Sequence, residues 1–187
     1  VKIIEFSDFL CPHCQTYNEQ VIKPFIEEYV ATGQAQFEYR MVLVIDQNIS
    51  AVTANLVECA DMQSEGLFWH AHDVMFDIIE ENSFTETTIS DFAGQLNLDE
   101  TELISCVQTV SQFQTDAQYA SQLGITGTPS IAVIYGDADP VMLVADVPGF
   151  DIILNANRPV TNEVVTIESG RYEGMSTYRT DDGGLVL

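Results

Sequence analysis

A pair of cysteines, Cys11 and Cys14, separated by only two residues, constrains this sequence more than any other feature. The pair follows an apolar segment rich in β-branched residues, 1–6, which is typical of a buried strand. From Pro12 to about residue 31 apolar side chains recur at four-residue spacing and predict a helix, whose first turn tolerates proline well. The cysteines therefore lie where a strand passes directly into a helix.

A position at the start of a helix favours an anion on the first cysteine. Free N–H groups and the helix dipole stabilise a thiolate at Cys11, and the neighbouring His13 can add a hydrogen bond or a positive charge. In such motifs the pKa of the leading cysteine falls from about 8.5 to between ~3.5 and ~7, which makes the Cys11–Cys14 disulfide a stronger oxidant. We therefore expect Cys11 to be an exposed nucleophile that forms a mixed disulfide, and the more buried Cys14 to resolve it.

A metal site is the alternative for closely spaced cysteines. A zinc ribbon needs a second close pair of ligands. His70 and His72 do not supply it, because side chains two positions apart on a helix point in different directions. We therefore expect no metal and no cofactor apart from the redox-active cysteine pair.

The rest of the sequence changes repeatedly between strand-like and helical patterns. Further strands are predicted over 36–44, 130–135 and 141–147, and five amphipathic helical segments between residues 50 and 123. Pro24 predicts a kink in the first helix. This order predicts an α/β core, 1–46 and 124–150, interrupted by an all-helical subdomain, 47–123.

Residues 151–187 differ in character and are predicted to form a C-terminal extension. It contains a candidate short helix, 151–157, and weak strands separated by glycine-rich turns, over 163–168, 172–180 and 185–187. The extension is therefore predicted to be rich in β-structure.

The charge of the chain excludes some classes of partner. Twenty-nine acidic residues against six Lys and Arg give a net charge of −23. Such a surface repels phosphate backbones and anionic lipid headgroups, so we expect neither nucleic-acid nor membrane-surface binding. The longest apolar runs are too short to cross a bilayer, and no signal peptide is visible at residue 1. We expect no membrane insertion, and the sequence carries no indication of oligomeric state.

Three separated segments carry a resemblance to a known family. Residues 4–14, IEFSDFLCPHC, resemble the active-site segment of DsbA-like thiol–disulfide oxidoreductases. Residues 66–73, GLFWHAHD, are similar to the family's helical-insert segment, and residues 123–130, LGITGTPS, to its cis-proline loop. The resemblance covers about residues 1–150 and implies a thioredoxin-like fold with an inserted helical subdomain. It departs at the C-terminus, where the family usually has a helix and this chain has the β-rich extension.

The resemblance also implies roles for individual residues. Pro129 is expected to be the cis-proline facing the disulfide, and Thr128 to align a client's extended chain through its backbone groups. Glu5, six residues before Cys11, occupies the position of a buried acid that relays the proton of Cys14 through water. The alternative for Glu5 is a carboxylate at the edge of a strand that merely faces solvent.

Two apolar residues beside the motif, Phe9 and Leu10, are candidates for an apolar client groove, although residues of this kind are mostly core. Cys59 and Cys106 lie in two different predicted helices and are either buried free thiols or a structural disulfide. A disulfide over their separation of 47 positions would stabilise the fold by roughly 3–4 kcal/mol in the loop-entropy model. We favour the disulfide.

The leading functional hypothesis is an extracytoplasmic dithiol oxidase of the periplasm or cell surface. It passes the Cys11–Cys14 disulfide to reduced or unfolded client proteins and is regenerated by a membrane quinone-linked reoxidase. One alternative is a disulfide reductase or isomerase, which a different donor must hold reduced. Another is a non-catalytic binding module with the C-terminal extension as its interaction surface.

Overall fold

The computed structural model describes residues 1–143, 165–180 and 182–187. Within these ranges seven strands form one sheet in the order β4-β3-β1-β2-β7-β6-β5. The strands are β1 (Lys2–Ser7), β2 (Gln36–Met41), β3 (Ser130–Ile134), β4 (Val141–Leu143), β5 (Val165–Thr166), β6 (Ser176–Arg179) and β7 (Leu185–Val186).

The helices lie mainly between β2 and β3. They are α1 (Pro12–Tyr17), α2 (Lys23–Phe25), α3 (Gln47–Gln63), α4 (Phe68–Asn82), α5 (Thr88–Leu96), α6 (Glu100–Val107) and α7 (Gln112–Gln122). This confirms the predicted α/β core with a helical segment between its strands, whereas the predicted subdomain boundaries stay a prediction. No helix in the described ranges is long and apolar enough to cross a membrane.

Strand β1 lies inside the sheet. It runs parallel to β2, with Glu5 opposite Tyr39, and antiparallel to β3, with Phe6 opposite Ser130. An internal strand with both faces covered must be apolar along most of its length, as the segment 1–6 is. Residues 3–7 are all buried.

Alternation along β1 divides its side chains between two cores. Ile3 joins the larger core with Phe37, Val133 and side chains of the helical segment. Ile4 and Phe6 belong to a smaller core on the opposite face, which they share with Ala132 and the α7 residue Ala120. Helices therefore cover both faces of the sheet.

The first helix is not α-helical throughout. Between α1 and α2 the residues Asn18–Ile22 form a π-helical turn, and Ile26–Val30 form another after α2. Pro24 has no N–H to donate to the preceding turn, and proline and π turns are both recognised causes of a kink in a helix. The irregularity expected at Pro24 thus takes the form of altered hydrogen bonding on both of its sides.

Some predicted boundaries need correction. The second strand was predicted to reach residue 44 but ends at Met41, because the N–H groups of Val44 and Ile45 turn to the carboxylate of Asp8. The first long helix begins at Gln47, earlier than predicted, because the Asp46 side chain caps its N–H groups. The strand predicted over 141–147 is described only for its first three residues, and the helix predicted over 151–157 lies outside the described residues.

The C-terminal extension supplies β5, β6 and β7. The β7 strand pairs antiparallel with β2, with Leu185 opposite Tyr39, and it places Leu187 in the larger core. The apolar end of the chain is therefore paired inward against the edge of β2.

A buried arginine links this extension to the rest of the fold. Arg40 on β2 is 2% exposed and donates to Glu38 at 2.7 Å, Asp116 at 3.0 Å and Asp182 at 2.7 Å. These carboxylates belong to β2, α7 and the turn before β7. One guanidinium thus holds together three carboxylates, and Lys2 pairs with the other oxygen of Glu38.

Replacing Arg40 is expected to destabilise the protein strongly. Arg40→Met leaves the buried carboxylate of Asp116 without its cation and leaves the buried Glu38 with Lys2 alone, a change that costs about 3–5 kcal/mol. The free energy of unfolding from urea denaturation measures the loss.

The matched control is Arg171→Met, which removes an exposed pair with Glu27 and a contact with Asp73 at 4.0 Å, the limit of an ion pair, and should cost less than about 1 kcal/mol. Equal losses in the two variants would contradict the buried network.

Candidate active site

The carboxylate of Asp8 fixes the turn between β1 and α1. It accepts the N–H groups of Leu10 at 3.0 Å, Val44 at 2.8 Å and Ile45 at 3.0 Å, and the Ser50 hydroxyl at 2.9 Å. The N–H of Cys11 donates to the Asp8 carbonyl at 3.0 Å. Cys11 is therefore held as the residue that precedes α1, with Pro12 in the first turn.

The two cysteines of the pair lie in different surroundings. Both are free thiols, and Cys14 is fully buried one turn into the helix. Pro12 and His13 between them are exposed. Cys11 was predicted to be exposed, but it is only 3% exposed, because the loop before β3 covers its sulfur.

The loop that covers Cys11 contains Thr128 and Pro129. Their peptide bond is cis, and the Thr128 carbonyl accepts a hydrogen bond from the Cys11 sulfur at 3.6 Å. The loop is anchored because Ser130, the first residue of β3, pairs with Phe6 and donates through its hydroxyl to the Gly127 carbonyl. The structure thus brings together two motifs that are 117 positions apart in the sequence.

Glu5 lies beneath the cysteine pair and not at a solvent-facing strand edge. It is fully buried, and neither carboxyl oxygen has a hydrogen-bond partner among the described residues. Burial raises the pKa of Glu5 from 4.5 to about 8. Burial also raises the pKa of the Cys14 thiol far above its ordinary value, and the nearby Glu5 charge raises it further.

The two apolar residues beside the motif have different surroundings. Phe9 is 2% exposed, and its ring packs at 4.8 Å from the Phe76 ring and 5.8 Å from the Tyr39 ring. The predicted groove role of Phe9 is therefore wrong, because the aromatic core encloses it. Leu10 is half-buried at the surface beside Cys11, and its contact with clients stays a prediction.

Ser7 is a polar residue of this site that the sequence analysis missed. Side chains two apart on a strand share a face, so Ser7 lies on the same side of β1 as Glu5, and it is fully buried. The alternation of β1 could have identified it. The phenol of Tyr39 borders the same pocket, because Tyr39 lies opposite Glu5 on β2. Its position depends on the register between β1 and β2, so alternation along one strand does not identify it.

The remaining cysteines are bonded to each other. Cys59 on α3 and Cys106 on α6 form a disulfide with Cα atoms 5.9 Å apart, which is the pairing that we favoured. No group of three or more His, Cys, Asp or Glu residues in the described parts of the chain is arranged to hold a metal ion.

Comparison with known proteins agrees with the predicted thioredoxin-like fold and with disulfide chemistry. A family model described as thioredoxin matches residues 1–136. A Bacillus anthracis protein named "Probable disulfide bond formation protein D" is 24% identical over 156 residues, which cover 75% of this chain and 68% of that protein.

Solved structures share the fold. Oxidised BdbD from Bacillus subtilis superposes with a TM-score of 0.65 at 21% identity, over 81% of this chain and 82% of that one. DsbA2 from Pseudomonas aeruginosa gives a TM-score of 0.64 at 22% identity, over 81% and 84%. The thioredoxin-like fold with a helical segment between its strands is therefore shown.

Replacing Glu5 by glutamine is expected to change how stability depends on pH. The native pKa of Glu5, about 8, lies above the unfolded value of 4.5. Between these values unfolding releases a proton, so the free energy of unfolding of the wild type falls as pH rises. Glu5→Gln removes this slope. The difference in free energy of unfolding between Glu5→Gln and the wild type should therefore grow in favour of the variant by a few kcal/mol between about pH 5 and about pH 8. Urea denaturation in a common redox state measures it.

The control for this experiment is Glu80→Gln, which changes an exposed carboxylate of α4. Its stability should follow that of the wild type across the whole range. Parallel curves for Glu5→Gln and the wild type would contradict the burial of an uncompensated acid.

Proposed function

Because this chain belongs to the thioredoxin family, we propose that it is a thiol–disulfide oxidoreductase that donates the Cys11–Cys14 disulfide to reduced client proteins. The observation that carries the proposal is the difference between the two sulfurs. Cys11 contacts the backbone of the cis-proline loop, whereas Cys14 is buried above an acid. One sulfur is placed to meet a client and the other to exchange a proton.

The first step is attack of a client thiolate on the Cys11 sulfur of the disulfide. The Cys11–Cys14 bond breaks, a mixed disulfide forms at Cys11, and Cys14 leaves as a thiolate. Glu5, with a pKa of about 8, is largely protonated at neutral pH and gives its proton to Cys14. A second client thiolate then attacks the mixed disulfide and releases Cys11, so that two electrons pass to the protein and the client gains a disulfide.

The groups around Cys11 position the client. The Thr128 carbonyl and its neighbours offer backbone hydrogen bonds to an extended chain that approaches the sulfur. Leu10 provides apolar contact next to it, and Pro12 and His13 border the approach. The exposed His13 is suited to stabilise the Cys11 thiolate released in the second step.

The remaining parts of the proposal concern compartment and recycling. The Cys59–Cys106 disulfide persists in oxidising compartments, which supports function outside the cytoplasm, in the periplasm or at the cell surface. Relatives of this chain bear the name disulfide bond formation protein. The cysteine pair itself carries the electrons and needs no further cofactor. A membrane quinone-linked reoxidase returns the dithiol to the disulfide.

The two cysteines are expected to fail in different ways when they are replaced. With the oxidised protein and reduced, unfolded ribonuclease A, wild type should restore ribonuclease activity. Cys11→Ser should form no mixed disulfide, because the attacked sulfur is missing. Cys14→Ser is mixed instead with scrambled, disulfide-bonded ribonuclease A, so that its Cys11 thiolate attacks a client disulfide and one client sulfur leaves as a thiolate. The mixed disulfide at Cys11 should then persist, because no Cys14 thiol is present to displace the bound client sulfur. Non-reducing electrophoresis and mass spectrometry detect the adduct.

The matched control is the double variant Cys59→Ala/Cys106→Ala, assayed under conditions where it remains folded. It removes the other two cysteines and should retain exchange. Loss of exchange in this control alone, with Cys11→Ser still active, would overturn the assignment of the redox pair. A wild type that reduces disulfides but never introduces them would favour a reductase.

A further inference from the structure

One buried carboxylate connects the active-site turn to a second segment at the surface. The Oδ1 atom of Asp8 accepts the N–H of Leu10, the residue before Cys11, at 3.0 Å. Its Oδ2 atom accepts the N–H groups of Val44 and Ile45 at 2.8 Å and 3.0 Å. The two oxygens of Asp8 therefore hold two distant parts of the chain together.

Both parts present apolar side chains at the surface. Val44 is 39% exposed and Ile45 is 54% exposed, and Leu10 is half-buried. Neighbouring exposed apolar side chains are a feature of interaction sites, whereas isolated ones are ordinary. Because the N–H groups of Leu10, Val44 and Ile45 share one carboxylate, these three residues lie together next to Cys11. We call them the apolar rim.

The mixed disulfide of the proposed reaction determines what passes this surface. The client cysteine is then bonded to the Cys11 sulfur, and an extended chain advances only about 3.3 Å per residue. The client residues on either side of its cysteine must therefore pass the surface around Cys11, of which the apolar rim is part. Cysteine is among the residues most often buried in folded proteins, so the parts of an unfolded client that contain it are commonly apolar. The occupant that fits the rim is an apolar segment of an unfolded client.

We propose that Asp8 is a positioning residue that holds the apolar rim in place beside Cys11 for the client chain, a role that rests on the proposed oxidoreductase function. A client chain contacts the rim, whereas a small thiol meets only the sulfur. Asp8 and the rim therefore govern the reaction with a client and not the reaction with a small thiol. The chemical step is the same for both: the attacking thiolate bonds to the Cys11 sulfur, and Cys14 leaves as a thiolate.

An asparagine cannot replace Asp8 in this role. A carboxylate has two accepting oxygens, whereas an amide has one and presents N–H groups at the other position. Asp8→Asn can therefore hold the active-site turn or the Val44–Ile45 segment, but not both. The matched control is Asp46→Asn in the same connection, because Asp46 accepts the N–H groups of Asn48 and Ile49 through a single oxygen.

The test compares thiols that reduce the oxidised protein at pH 7. The client probe is a short peptide with a single cysteine between leucines, and the small thiol is 2-mercaptoethanol. A second peptide has serines in place of the leucines. Acid quenching and mass spectrometry follow the loss of the Cys11–Cys14 disulfide and give a second-order rate constant for each thiol.

Ile45→Ser should lower the rate constant for the leucine peptide about fivefold, because the peptide loses apolar contact area, and should leave the other two thiols within about twofold of the wild type. Asp8→Asn should have the same selective effect. The double variant should be no slower than Asp8→Asn, because Ile45 is then already displaced. Asp46→Asn should match the wild type with all three thiols. So should Ile104→Ser, which changes an exposed apolar residue of α6.

Thermal unfolding establishes that each variant folds. If Asp8→Asn does not fold, Asp8→Ser replaces it. Its short hydroxyl can keep the local bond to the N–H of Leu10 but does not reach the Val44–Ile45 segment, so the same selective loss is expected.

The outcomes distinguish this inference from the proposed function. Equal losses with all thiols in Asp8→Asn would overturn the inference and leave the function intact, because Asp8 would then act on the cysteine pair itself. A wild-type rate for Ile45→Ser with the leucine peptide would also overturn it. Dimers of the wild type that Ile45→Ser abolishes would assign the rim to a second copy of this chain instead of a client. An oxidised wild type that no thiol reduces would overturn both proposals.

Discussion

The pairing of β1 with β3 is the constraint on which the site depends. Because Phe6 lies opposite Ser130, the loop that precedes β3 must pass beside the C-terminal end of β1. Cys11 begins the next helix at that same end, so the Thr128 carbonyl and the Cys11 sulfur meet although the whole helical segment separates them in sequence. A shift of this register by one residue would turn Glu5 away from Cys14 and move the cis-proline loop along the strand.

The internal position of β1 also explains the chemistry of the acid. A carboxyl group on an edge strand would be hydrated, whereas Glu5 is enclosed by β2, β3 and α1 and has no cationic partner among the described residues. Burial without compensation favours its protonated form. The same enclosure makes the Cys14 thiolate unfavourable in the absence of a proton donor. Neither Glu5 nor Cys14 can exchange protons readily with bulk solvent. The protonation of each therefore depends on the other.

The sequence predicted those features that depend on local pattern. The apolar run of β1, the close cysteine pair and the Thr128-Pro129 turn were each recognisable from short segments, and so was the order of strands and helices. The burial of Cys11 and Phe9 was not, because each results from atoms contributed by distant segments. The end of β2 at Met41 likewise depends on Asp8 withdrawing two N–H groups from the strand. Tertiary hydrogen bonds thus override local propensity at these points.

The distribution of the few Lys and Arg side chains limits which groups can stabilise a thiolate at Cys11. Five of the six Lys and Arg residues form ion pairs that mostly join separate elements, such as Arg40 with Asp116 on α7 and Arg179 with Glu58 on α3. None of these pairs involves the cysteine motif. With a net charge of −23, the field of the whole protein opposes a further anion. Among the described residues, the side chain next to Cys11 that can carry a positive charge is therefore the exposed His13.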